Sequence, residues 1–92
     1  MRRVRIEELM VEIGCDRSLL DELRAAGLFE DEELPLAEAD ELRVATELMR
    51  SLGVNAPGVG VALQLRRRLL ALEQRTVRLL RAVLEESNRS EG

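Results

Sequence analysis

The sequence has no histidine and only one cysteine, Cys15, so one chain can form neither an intramolecular disulfide nor the usual nitrogen-and-sulfur metal cluster. No cofactor or metal is expected. Aromatic rings are almost missing: Phe29 stands alone, with no tryptophan or tyrosine. The core must therefore be built from Leu, Val, Ile, Met and Ala, a composition that favours helices over sheets. Lysine is absent as well, and every basic residue is an arginine. The chain has no nucleophile–base pair and no phosphate loop, and Gly58-x-Gly60 is too short to bind a nucleotide, so an enzyme is not expected. No apolar run approaches the ~20 residues of a membrane span, and Met-Arg-Arg-Val-Arg at the start lacks the apolar stretch of a signal peptide. A soluble, cytoplasmic chain with no membrane partner is the expectation.

What the sequence does have is charge, unevenly placed. Its 92 residues are enough for one domain and carry a net charge of −4. Residues 1–47 hold 14 acids and 6 arginines, a net of −8, while residues 48–92 hold 4 acids and 8 arginines, a net of +4. That asymmetry implies either a partner with a basic surface or attraction between the two halves.

Val4-Arg5-Ile6 alternates in polarity and reads as a short edge strand or an extended lead-in. A helix is expected from about Glu7 to Ile13, with Ile6, Leu9, Met10 and Ile13 as its apolar stripe and Gly14 as its end. Cys15 then reads as a small buried residue in the turn, with a redox or metal sensor as the alternative. Asp16 can cap a second helix over Arg17–Ala26, which Gly27 terminates. Its Leu19, Leu20 and Leu23 share one face, leaving Arg17, Asp21, Glu22 and Arg24 toward solvent. Leu28-Phe29 and Leu34-Pro35-Leu36 flank four consecutive acids and read as two short strands, a small wing whose acidic loop would repel phosphates.

A third helix is expected from Ala37 or Glu38 to Leu52, with Leu42, Ala45, Leu48, Met49 and Leu52 buried and Gly53 as its C-cap. Asn55 and Pro57 then open a last helix running to Glu86, followed by a frayed tail over 87–92. The apolar residues of this helix fill an arc roughly 200° wide, too broad for a single coiled-coil seam. One side should pack on its own domain and the other on a second copy. Leu65, Leu69, Leu72, Thr76, Leu79 and Val83 make the seven-residue register for that dimer, with Leu63, Leu70, Val77 and Leu84 as the adjacent stripe. Arg66 and Glu73 lie inside the arc and are candidates to pair across an antiparallel dimer.

With these elements in place, the chain resembles the MerR-like winged helix-turn-helix group, and within it the CbpM-type chaperone modulators more than the DNA-binding regulators. The likeness runs through the helix-turn-helix, the short wing, the third helix, the junction Leu52-Gly53-Val54-Asn55-Ala56-Pro57-Gly58 and the long last helix. Where the regulators carry an Arg-Tyr-Tyr triplet, this chain has Asp21, Glu22 and Leu23. The resemblance implies a mainly α fold, with a winged helix-turn-helix region over 1–56 and a C-terminal dimerisation helix over 57–86. It further implies an adaptor that binds the J-domain of a DnaJ-like co-chaperone of the CbpA type and inhibits it. An acidic surface suits the basic helix of such a J-domain, and Glu7, Glu8, Glu12, Asp21 and Glu22 are the candidate contacts, with Glu30–Glu33 beside them. The alternative is a MerR-family DNA-binding transcriptional regulator, which would need its arginines to hold phosphates despite the surrounding acids.

Overall fold

Apolar residues at helical spacing give the described residues of this chain four helices, which make up 78% of them, and one pair of three-residue strands. The structure is a computed structural model that describes residues 2–91. In order, the elements are β1 (Arg3–Arg5), α1 (Ile6–Ile13), α2 (Arg17–Ala25), β2 (Glu33–Pro35), α3 (Leu36–Leu52) and α4 (Ala56–Glu91).

Caps set the helix ends. Gly14 and Gly53 take left-handed backbone at φ 72° and 67°, and each lets the next residue's N–H turn back, Cys15 to the Met10 carbonyl and Val54 to that of Leu48. The Asp16 carboxylate accepts the Leu19 N–H at 2.8 Å, and the Asn55 side chain accepts that of Gly58 at 2.8 Å. Both caps are the ones the sequence predicts.

The strand pairing differs from the one expected. Glu33–Pro35 pairs antiparallel with Arg3–Arg5, Val4 opposite Leu34, while Leu28-Phe29 makes no strand. The reason is local. Gly27 at φ 82° and Phe29 at φ 54° are both left-handed, which breaks an extended ladder, and Arg24 fixes the segment by donating to the Phe29 and Asp31 carbonyls at 3.0 and 3.4 Å. Left-handed backbone at a bulky residue costs on the order of 1 kcal/mol. The clamp and the packing of Phe29 against the core offset it.

Ile6, Leu9 and Met10 of α1, Leu20 and Leu23 of α2, Leu34 of β2 and Ala39, Leu42 and Ala45 of α3 form one core with Ala56, Val59 and Leu63 of α4; Cys15 is buried among them. Leu52, expected in the buried stripe, is 72% exposed. It is the last residue before the Gly53 reversal, and the packed side of that turn ends with Leu48 and Met49. Thr46 is buried without penalty, because its hydroxyl donates to the Leu42 carbonyl at 2.9 Å.

Beyond Leu63, α4 leaves the core. Its 36 residues extend about 54 Å at 1.5 Å per residue, which accounts for most of the 60 Å long axis of the chain. The radius of gyration is 18.0 Å, against about 12 Å for a compact chain of this length. The helix also continues through 87–91, where a frayed tail is expected; Gly92 lies outside the described residues.

Candidate functional site

Two surfaces carry the chemistry, one on the packed head formed by residues 2–64 and one on the projecting part of α4. On the head, Glu7 and Glu8 sit in the first turn of α1, where the helix dipole favours negative charge, and Glu12 follows one turn later. Val11 lies between them and is 83% exposed. Asp21 and Glu22 are exposed on α2. Arg17 joins the two helices by donating to Glu7 at 2.6 Å. That hydrogen bond, the Glu7 charge and the nearby Asp21 hold the Arg17 guanidinium above its ordinary range. Glu7, Arg17 and Asp21 are thereby brought together, while Glu8, Val11 and Glu12 face solvent on α1. Among the described residues, no salt bridge engages Glu8, Glu12, Asp21 or Glu22. Glu30–Glu33 are exposed on the loop into β2, beside a mixed-charge hollow lined by Arg3, Arg5, Glu7, Asp31, Glu32 and Glu33.

Leu23, aligned with the last position of the regulators' Arg-Tyr-Tyr triplet, is fully buried. Only Asp21 and Glu22 of the three face solvent, and both carry the charge that phosphates repel.

On α4, Leu65, Leu69, Leu72, Leu79 and Val83 are each between 54% and 64% exposed. Thr76 in the same row is exposed too, its hydroxyl donating to the Leu72 carbonyl at 3.0 Å. The adjacent stripe was expected to pack on the chain's own domain. Leu63 does so, but Leu70, Val77 and Leu84 are 42–62% exposed. The head is too short to follow the helix further. Its last contacts are polar: Arg66 donates to Asp40 at 2.7 Å, and Arg67 grips Glu41 with two hydrogen bonds of 2.6 and 2.7 Å. Arg66, a candidate for pairing with Glu73 across a dimer, therefore has a partner within its own chain.

Asp40 also accepts from Arg43, and that hydrogen bond, with the one from Arg66, holds its carboxyl below the ordinary range against the opposing effect of burial. Arg67 is raised, chiefly by its hydrogen bond to Glu41. Sequence reasoning missed this pair of anchors. The signal was present, as adjacent acids Asp40-Glu41 facing adjacent arginines Arg66-Arg67, but only the crossing of α3 and α4 puts them in contact.

Among the described residues, no group of three His, Cys, Asp or Glu side chains is placed to hold a metal ion. No helix of the described residues is long and apolar enough to cross a membrane. Compared with known protein families, with curated proteins and with solved structures, the chain matches none.

Proposed function

We propose that this chain is a dimeric adaptor of the CbpM type, in the MerR-like winged helix-turn-helix group, that binds the J-domain of a DnaJ-like co-chaperone of the CbpA type and inhibits its co-chaperone activity. On this reading α1 and α2 are the helix-turn-helix, and the β1–β2 pair with the acidic 30–33 loop is the wing. The protein works in the cytoplasm by binding rather than by catalysis. The partner class comes from the sequence resemblance. The observation that carries the binding reading is the exposed acidic surface of α1 and α2, where Glu8 and Glu12 flank an exposed valine on α1 and Asp21 and Glu22 are exposed on α2, rather than offering arginines to phosphate. A basic helix is the complementary partner. The exposed row from Leu65 to Val83 supports dimerisation, because so long an apolar face is normally covered.

Titration calorimetry against the isolated J-domain of a CbpA-type co-chaperone, at low and moderate salt, tests the reading. A complex with a dissociation constant of about 1 μM or tighter, weakened by salt, is expected. Adding the adaptor should also lower J-domain-stimulated ATP hydrolysis by Hsp70. No heat of binding at either salt concentration removes the J-domain as the partner.

A further inference from the structure

The face of α4 that packs on the head continues past the point where the head stops. Leu63, 2% exposed, is the last core residue of α4, and Arg67, one turn later, grips Glu41 of α3. Fourteen residues further along, the same pairing of an apolar residue with an arginine four places on returns as Val77 and Arg81. At about 1.5 Å and 100° per residue, that repeat lies about 21 Å along the helix and only about 40° round it. Leu70 and Leu84, each seven residues from Val77, extend the stripe, and Arg78 borders it on the same side as Arg81. The three apolar residues are 42–62% exposed, and Leu70, Gln74, Val77 and Arg78 line a shallow hollow. Among the described residues, no salt bridge reaches Arg78 or Arg81.

We propose that Leu70, Val77, Arg78 and Arg81 form a docking surface for an acidic amphipathic helix of another protein, with the chemistry that α3 presents to the start of α4. The occupant's apolar face covers Leu70 and Val77. Its carboxylates take the guanidinium groups of Arg78 and Arg81 as Glu41 takes that of Arg67. The acids lie along one border only, because Glu73 stands about 40° from Val77 on the other side and repels them. This surface goes beyond the adaptor reading. The J-domain contact uses the acidic head, and a two-helix seam along Leu65, Leu72 and Leu79 lies about 100° away, so both can coexist with an occupant here.

Charge selects that occupant. Residues 65–84 contain six arginines and one acid, Glu73, a net of +5. Arg78 lies about 22 Å along α4 from Leu63, beyond twice the Debye length of about 8 Å, so the acidic head does not neutralise it at physiological salt. A nucleic-acid backbone would match the arginines but offer Leu70 and Val77 nothing apolar. A lipid surface would take the widest apolar arc, the Leu65–Val83 row together with this stripe, and Glu73 lies inside that arc. The same face of a second copy is itself basic and repels.

The test is fluorescence anisotropy of the full chain with a labelled, amidated peptide of about 18 residues, long enough as a helix to span the stripe. The peptide carries leucine on one helical face and glutamate elsewhere. Binding at low salt with a dissociation constant of about 100 μM or tighter is expected, and no binding overturns the proposal. A scrambled peptide of the same composition, which keeps the charge and loses the apolar face, should bind about tenfold more weakly. Equal binding of the two overturns the proposal, because charge alone would then explain it. Arg78→Glu with Arg81→Glu, and separately Leu70→Ser with Val77→Ser, should each weaken the complex about tenfold, and an unchanged affinity in either overturns the surface. Tighter binding of a duplex of about 20 base pairs, or of phosphatidylserine vesicles, lost in the same variants, assigns the face to nucleic acid or membrane and overturns the proposal. So does a mass above that of a dimer in light scattering that Leu70→Ser with Val77→Ser reduces, which assigns the stripe to further copies. The J-domain affinity of Arg78→Glu with Arg81→Glu should stay at the parent value, so failure of the J-domain reading and failure of this one are read apart.

Discussion

Arg67 holds Glu41 through two parallel hydrogen bonds, 2.6 Å from Nε and 2.7 Å from Nη2, at the place where α4 leaves the head. The pair is lopsided. The Glu41 side chain is 6% exposed and that of Arg67 58%, so the carboxylate has given up its water and depends on the arginine. With Arg66–Asp40 one residue earlier, it fixes the direction in which the apolar faces of α4 are presented.

Arg67→Ala should therefore lower stability by about 1–3 kcal/mol, the range for leaving a buried polar group unsatisfied. Glu41→Gln, which keeps the shape and removes the charge, should cost less. Urea unfolding of the two variants beside the parent chain checks the order, and equal midpoints for Arg67→Ala and parent would show that Glu41 finds water instead.

Asp40 gives a pH dependence with a definite sign. Its carboxyl is held below the ordinary range by Arg43 and Arg66, so the folded state binds its proton less readily than the unfolded state. The stability it contributes is complete above about pH 4, the ordinary carboxylate value, and is lost as pH falls through the lowered folded value. Asp40→Asn should show a shallower acid loss of stability than the parent between pH 4 and the acid limit, as read from unfolding midpoints at matched salt. The effect is small, because the Asp40 side chain is 44% exposed.

Leu72→Glu should convert the proposed dimer to a monomer without unfolding the head. Leu72 is 56% exposed in the single chain and touches none of the buried core, so the charge is harmless until a second apolar face approaches. Sedimentation equilibrium gives the mass, and the circular dichroism of the monomer should keep its helical form with some fraying of the free segment. A variant that remains dimeric would place the interface elsewhere.

Glu8→Arg with Glu12→Arg, and separately Asp21→Arg with Glu22→Arg, should each weaken the proposed J-domain complex by about tenfold or more at low salt, with the difference shrinking as salt rises. All four positions are exposed and lie outside the observed salt bridges, so fold stability should change little. Affinity that survives both reversals would move the contact off α1 and α2.

Much of the local structure was legible. Asp16, Gly14, Gly53 and Asn55 act through their own backbone neighbours, so their caps could be read without knowing the fold. The apolar spacing of Leu9, Met10, Leu20, Leu23, Leu42 and Ala45 likewise marked the buried faces. The strand expected at Leu28-Phe29 was misread, because nothing in the composition of that pair announces that Arg24 will hold it in a left-handed conformation.

The sequence by itself determined the caps at Gly14, Asp16, Gly53 and Asn55, that the core is aliphatic, and that an acidic half precedes a basic one, because each is a property of neighbours along the chain. The tertiary structure alone decided which segment pairs with Glu33–Pro35, that Asp40 and Glu41 receive Arg66 and Arg67, and that the head stops short of Leu70. Those depend on how far one helix travels across others, which spacing within a helix cannot encode. The apolar stripes of α4 were visible as a pattern, and only the packed head showed how much of that pattern a single chain leaves open.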